Sequence, residues 1–381
     1  MSYNFPGVYI QDTATNVNTA LVTPSSVVMY GTAISGSEVA TVNTRVAIDS
    51  LADFTTKFGS DSDSYPYVAQ FFNQVSRSLE FVNVATVGTV TVTEVETALS
   101  ATVLDTDDMV ITIASEFADL GVPLANALIA HAELTDNFTI VDVDVAASTD
   151  NALAVTYVGT VTASPNAAIY FPYVIDSDSN TLAPSATMAG VYMKVYQTVG
   201  IQKSPAGVKH KFKGVTGLTF NVDTTQGGNL NDAKVNCIIS KPRLGIYAYG
   251  CRTLQTDVRF INTSIILLTQ KRSLRDSFEA MLFETIDSKA DLYQRAKTLA
   301  NSVLGLQWLS NQLAGDNPRD AFQVICDDSN NPAESLSLGR LNLDIYQKPA
   351  GSVEVVVIVP HAVDIGTVNE ALLNRWHLVQ I

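Results

Sequence analysis

The chain has few cysteines, no long apolar runs and almost no bases in its first half. Its three cysteines, Cys237, Cys251 and Cys326, are widely spaced and odd in number. That excludes a disulfide framework and a paired-cysteine metal knuckle, and it predicts buried thiols kept reduced. No stretch approaches the roughly 18–20 uninterrupted apolar residues of a membrane-spanning helix. Ser2 to Phe5 lack the basic start of a secretory signal, and Pro6, Gly7, Gln11 and Asp12 break up the apolar stretch that such a signal needs next. The expectation is a soluble protein that stays where it is made.

The shortage of bases is local. Before Val191 only Arg45, Lys57 and Arg77 stand against twenty-one acids, and between Arg77 and Lys194 there is no Lys or Arg. From Val191 onward twenty bases meet seventeen acids, within a total charge of −15. A base-free stretch cannot neutralise phosphates and is repelled by nucleic acid and anionic bilayers, so neither is an expected partner. It suits a solvated outer surface, and the balanced second half suits protein partners.

Candidate chemical sites fail one by one. His131, His210, His361 and His377 have no second ligand or acidic neighbour at a useful spacing. Lys213-Gly-Val-Thr-Gly217 lacks the order of a phosphate loop, and it and Gln226-Gly-Gly228 read as turns. Asp176-Ser-Asp178-Ser-Asn180 starts like a calcium loop, but Thr181 replaces the turn glycine and Thr187 the bidentate Glu. Asp105, Asp107 and Asp108 read as a solvated loop. Asn137-Phe-Thr139 and Asn262-Thr-Ser264 fit the glycosylation pattern without a secretion signal to give it meaning. No catalytic, cofactor or metal residue is expected, and no enzyme.

Along the chain, Pro6, Gly7 and the Thr/Asn series to residue 20 read as an extended arm. Strands at Val27–Tyr30, Val46–Ile48 and Leu79–Val84 alternate with helices at Ser50–Phe58 and around Tyr67–Val75, which indicates an α/β layer. From Val87 the Thr/Val alternation, with Asp107–Ile113, Phe138–Val145 and Val155–Val161, reads as β-rich. The α/β layer resumes with Ala168–Ile175 and the helix Ala186–Tyr196. Ser273 with Asp276, and Ser288 with Asp291, look like capping boxes opening two helices, the second carrying an apolar stripe from Leu292 to Leu313. Leu341, Leu343 and Ile345 alternate like a half-buried strand, and Val353–Val359 reads as a buried one. The last seven residues, Arg375 to Ile381, are apolar and strand-like, and need a cover.

A series of short motifs in fixed order resembles the contractile tail sheath family. They are Pro6-Gly-Val-Tyr-Ile10, Pro24-Ser-Ser-Val-Val with Gly31-Thr-Ala33, Ile48-Asp-Ser50 with Phe58-Gly59, and Ala189-Gly-Val-Tyr192. Gly200 with Pro205-Ala206, Leu230-Asn231, and above all Gly250-Cys-Arg-Thr-Leu254 with Asp257 and Ile261-Asn262 come next. Ala321-Phe322, Cys326-Asp327, Asn331-Pro332, Gly339 and Pro349-Ala350 complete the order. The chain departs from the pattern at Ala183 and Ala186, and at Thr263-Ser264 on what the family makes a basic strand.

The resemblance implies a multidomain α+β and α/β fold with two linking arms, 1–20 and 362–381. It implies a discontinuous α/β domain at 21–87 and 168–250, a β-rich inserted outer domain at 88–167, and an inner, tube-facing C-terminal domain at 251–361. The implied function is a structural subunit that polymerises helically around an inner tube and contracts from a metastable extended state. Its partners would be itself, the tube protein, and baseplate and terminator proteins, with no nucleic acid, membrane insertion or cofactor. It would assemble in a bacterial cytoplasm and end in a virion tail or a released contractile particle. Arms carrying Pro6, Gly7, Val8, Tyr9, Ile10, Trp376, Leu378 and Ile381 would add strands to a neighbour's Leu341, Leu343, Ile345, Val355 and Val357. Lys289, Arg295, Lys297 and Arg319 are the candidate tube contacts.

Overall fold

The computed structural model describes residues 20–86, 89–103, 108–257, 259–283 and 289–354. Its centre is an eight-stranded sheet. In chain order the strands are β1 (Ser26–Gly31), β2 (Arg45–Ile48), β3 (Leu79–Asn83), β4 (Val110–Ile113), β5 (Phe138–Asp142) and β6 (Ala167–Phe171). Beyond a small sheet of β7 (Val174–Asp176), β8 (Thr181–Leu182) and β9 (Val215–Leu218), β10 (Val235–Lys241) and β11 (Gly245–Ala248) complete it. The spatial order is β11-β10-β6-β5-β4-β1-β3-β2, with only the outermost pairings at each end antiparallel. Strands β1, β5 and β6 are buried along nearly their whole length because helices cover both faces.

Two buried clusters lie on the two faces. One holds Phe54 and Phe58 of α1 (Leu51–Phe58), which pack on Phe81 of β3 at ring distances of 5.0 and 4.8 Å. It includes Phe71 of α2 (Tyr65–Gln74) and Tyr192 of α6 (Ser185–Thr198). Helix α2 crosses α6 at Gly190, where a Cβ would come within 2.8 Å of Gln74 and of the Phe71 carbonyl. The other cluster is covered by α3 (Val92–Ala101), α4 (Gly121–Leu134), α5 (Asn151–Val158) and α7 (Thr224–Asp232).

The segment expected to be a β-rich insertion is instead part of the main sheet. Its strands β4 and β5 sit at the middle, between β1 and β6, and helices fill most of the rest. Val92–Ala101 is helical because Thr91 and Glu94 form a capping box, and Val95, Ala98 and Leu99 then repeat at helical spacing. Val155–Val158 is likewise helical, capped by the Asp150 carboxylate accepting from the Ala152 and Leu153 amides. Gln226-Gly-Gly228 lies inside α7, not in a turn, since Asp223 and Gln226 cap that helix reciprocally.

The C-terminal part contains α8 (Ile261–Glu279), α9 (Lys289–Leu309), α10 (Pro318–Ala321), α11 (Ala333–Ser337) and a two-stranded antiparallel sheet, β12 (Phe322–Ile325) with β13 (Asp344–Gln347). Helix α8 begins twelve residues before Ser273, the expected cap. The Ser273 hydroxyl donates to the Thr269 carbonyl inside the helix, 2.7 Å away. Thr263-Ser264 therefore lies on a helix, not a strand.

Helix α8 is bound to the sheet. The buried Arg272 guanidinium donates to the Thr135 and Asp136 carbonyls and to Asn137 Oδ1, and Lys271 and Arg275 pair with the Asp136 carboxylate. Burial alone would raise the Asp136 carboxyl, but these two bases hold it below its ordinary value. Ile261, Ile265, Ile266 and Leu304 join the same cluster as Phe81, so the C-terminal helices share the core of the α/β layer.

Candidate assembly interface

In an open parallel sheet, ligands bind beyond the carboxyl ends of the strands where the strand order reverses. Here that point lies between β1 and β4. Its crevice is filled by the protein itself. The Glu116 carboxylate accepts from the Thr32 amide at 2.9 Å and from the Thr32 and Ser64 hydroxyls. A Cβ at Gly31 would overlap Ser64 Oγ at 2.0 Å and approach Glu116 Oε2 at 2.9 Å, so the motif Gly31-Thr-Ala33 closes this crevice.

One strand further on, the buried Asp142 accepts from the Ser185 amide at 2.9 Å and its hydroxyl at 2.5 Å, and Ser185 Oγ also meets Ser115 Oγ at 2.5 Å. Burial pushes Asp142 up to about 7, and it pushes Glu116 above the ordinary carboxylate range. These carboxyls join loops and helix starts, a structural task. Sequence reading missed both, because their partners lie far off in the chain. The only signal was for Asp142, an acid closing the mostly apolar strand β5.

The other candidates resolve in the same way. Asp176 is used up inside its turn, accepting from the amides of Asp178 and Asn180 and from Asn180 Nδ2. His131 is buried and held down to about 4, hence neutral, and burial also lowers His210. The three cysteines are free and buried. Among the described residues no group of three His, Cys, Asp or Glu is placed to hold a metal ion, and no helix is long and apolar enough to cross a membrane.

The residues of the most specific motif anchor the last described segment. Asn262 Nδ2 donates to the Ala350 carbonyl at 2.8 Å, and its Oδ1 accepts from the Ser204 and Ser352 hydroxyls. Arg252 grips the Glu354 carboxylate through Nε and Nη2 at 2.9 and 2.6 Å, while Asn236 Oδ1 accepts from the Arg252 amide. Gly250 is pressed on Asn236, where a Cβ would stand 2.8 Å from its Cα. The motif thus fixes how residues 350–354 leave the core.

Leu341 and Leu343 pack on the small cluster of Leu292, Tyr293, Ala296, Cys326 and Leu336, and Ile345 packs on the main core. Asn331 clamps this strand's approach, donating to the Asn342 carbonyl at 2.9 Å and accepting from its amide at 2.6 Å. The strand runs Asp344–Gln347, so that of the expected strand residues Leu341, Leu343 and Ile345 only Ile345 lies in it, and it pairs on one side with β12. Among the described residues no strand pairs with its other side. Tyr346 points outward and is 60% exposed.

Lys289 and Arg319 are exposed, and Arg295 and Lys297 are half-buried on α9. Arg295 lies 3.7 Å from Asp291, and Lys289 lies 4.0 Å from Asp328. The structure gathers the first three along α9 and sets Arg319 on the neighbouring α10. Pro6, Gly7, Val8, Tyr9, Ile10, Val355, Val357, Trp376, Leu378 and Ile381 lie outside the described residues.

No protein-family model matches the chain, and no curated protein matches it. Solved structures do. The helical sheath of the anti-feeding prophage in its contracted state is 20% identical, with a TM-score of 0.75 over 93% of this chain and 98% of that one. The contracted PVC sheath complex of an extracellular contractile injection system is also 20% identical, with a TM-score of 0.72 over 96% and 99%. A sheath tail protein from Desulfitobacterium hafniense is 9% identical, with a TM-score of 0.64 over 91% and 98%. Over nearly its whole length, therefore, the chain has the fold of contractile sheath proteins.

Proposed function

We propose that this chain is the structural subunit of a contractile sheath, polymerising helically around an inner tube and shortening to drive that tube into a target. The observation that carries the reading is end-to-end agreement with sheath subunits, 93% of this chain on 98% of one of them. The self-filled crevice between β1 and β4 agrees with it, since a subunit that releases stored conformational energy needs no nucleotide site.

The greater identity to the two injection-device sheaths, 20% against 9% for the tail protein, supports a contractile injection particle over a virion tail. Strand addition at β13 by arms from both chain ends would link subunits while ring spacing changes, and Lys289, Arg295, Lys297 and Arg319 would face the tube. The inner domain would then be 251–361.

Electron microscopy of the purified protein tests the reading. Hollow cylinders are expected, and deleting residues 1–16 or 375–381 should abolish them while leaving the subunit folded. Compact monomers at every concentration would sink it.

A further inference from the structure

The two lateral ends of the eight-stranded sheet differ in charge. At the β11 end, the chain from Lys194 to Arg243 carries eight bases and two acids. Lys209, Lys211, Lys213, Lys241 and Arg243 are all exposed there. The backbone brings them together. The Phe212 amide donates to the Ile246 carbonyl and the Gly207 amide to the Ala248 carbonyl, which lays residues 207–213 beside β11. Lys241 sits 5.0 Å over the Tyr249 ring, and Leu244 and Tyr249 are 42% and 58% exposed among these bases. Among the described residues none of the five bases has a carboxylate partner. Together with burial, Lys194, Lys203 and Lys209 hold nearby His210 below its ordinary value, as a dense positive field would.

The β2 end is the reverse. Glu38 and Asp61 lie at the C-terminal end of α1, where the Glu38 amide donates to the Lys57 carbonyl and Ser35 Oγ donates to Asp61 at 2.5 Å, and the exposed Asp63 follows in the loop from α1 to α2. Both local bases are occupied: Arg45 lies 3.5 Å from Glu80, and Lys57 lies 2.9 Å from Asp53. Ile34, 58% exposed, supplies an apolar spot beside the acids. Ile34 follows β1, and the Lys241–Gly245 tip follows β10, so both patches project from the carboxyl ends of the parallel strands. With neighbouring strands about 4.8 Å apart, the two ends stand roughly 34 Å from each other.

We propose that these ends dock on each other between copies: the basic β11 end of one subunit, with Leu244 and Tyr249, meets the acidic β2 end of the next, with Ile34. The contact is heterologous, so its repetition gives an open row of subunits, as a helical polymer requires. The proposal rests on the self-assembly reading and adds a surface to it that involves neither arms nor tube. Exposed charges are screened beyond about 8–10 Å at ordinary ionic strength, so this contact weakens with salt.

The test uses the full chain in three forms: wild type, the triple variant Lys209→Glu/Lys211→Glu/Lys241→Glu, and the double variant Asp61→Lys/Asp63→Lys. Thermal midpoints check that each is folded, and sedimentation velocity at low and high salt reads self-association. Each variant alone should associate about tenfold or more weakly than wild type at low salt. An equimolar mixture of the two should recover, because the triple variant then carries acids at both ends and the double variant bases at both, so every contact between unlike copies pairs opposite charges. Variants that associate as wild type does, or a mixture that stays dissociated, would overturn the docking and leave the sheath reading intact. Salt-sensitive rows of subunits that never close into cylinders would uphold the docking and overturn the sheath reading.

Discussion

In the eight-stranded sheet, β1, β5 and β6 are buried along almost every residue, whereas β13 alternates exposed and half-buried positions and β12 has no fully buried one. The first arrangement has helices on both faces and closes its ligand crevice with Glu116. The second has two strands, a polar outer row and one unpaired side on β13 among the described residues. A two-stranded sheet is marginal by itself. Here it survives because Leu341, Leu343 and Ile345 reach inward onto α9 and the main core. One region is finished within the subunit, and the other is where the proposed strand addition would take place. The difference divides substitutions into those that should unfold the monomer and those that should spare it.

The most drastic way to probe the finished region is to replace residues 89–164 with a Gly/Ser linker. An outer insertion would tolerate this, but β4 and β5 lie at the sheet's centre, so the product should have no cooperative thermal transition. A folded, assembly-competent product would show that the sheet can close without them.

Next in size is Phe81→Ala, which empties a site between Phe54 and Phe58 and should cost about 3–5 kcal/mol by urea unfolding. Arg272→Ala should cost on the order of 3 kcal/mol, because it leaves the buried Thr135 and Asp136 carbonyls without their donor, while Asn137 Oδ1 keeps only the Val110 amide. If Arg272→Ala were neutral, α8 would not depend on this junction and the two regions would be more separable than the shared core implies.

Asp142 gives the same region a pH signature. Its carboxyl is raised from 3.8 to about 7 by burial, so the folded state holds a proton that the unfolded state releases. The stability this contributes is complete below pH 4 and is lost as pH rises towards and through 7. Asp142→Asn keeps the Ser185 contacts without an ionisable group. It should therefore gain on wild type as pH rises from 5 to 8, by on the order of 2 kcal/mol in urea midpoints. Asp136, held low by Lys271 and Arg275, works in the opposite sense, losing its contribution as pH falls, and is unchanged in both proteins. Parallel curves for the two proteins would place the Asp142 proton elsewhere.

How legible these regions were depended on the range of the forces involved. Helix α1 could be read to the residue, because Ser50 caps it with a bond to the Asp53 amide and Gly59 ends it at φ 79°, both local events. Helix α3 was misread because Thr and Val favour strands, while its capping box and three-four spacing were hidden within the alternation. At α8 the Ser273-Asp276 pattern suggested a start, yet Ile261, Ile265 and Ile266 already face the core, and tertiary burial extended the helix upstream. Glu116 and Asp142 could not be found locally, since 84 residues separate Glu116 from Thr32 and 43 separate Asp142 from Ser185. The period of two from Leu341 to Gln347 was legible and correct in facing, because one-sided burial imposes it on any strand.

The smallest effect on the monomer belongs to Tyr346, and there the contrast between the regions is most sharply tested. Its side chain lies on the outer row of β13, 60% exposed, while its backbone pairs with Gln323 of β12. Tyr346→Ala leaves that pairing intact and removes only half-solvated surface, so the monomer's stability should change by no more than about 0.5 kcal/mol. In the assembled state a strand added beside β13 would cover this ring, and an aromatic cross-strand contact contributes roughly 0.2–1 kcal/mol per interface. Repeated at every subunit, that loss should raise the protein concentration needed for cylinders severalfold without altering the melting curve. A Tyr346→Ala protein that melts much earlier than wild type would show that the ring belongs to the subunit's own core. One that assembles at the wild-type concentration would move the acceptor edge away from β13.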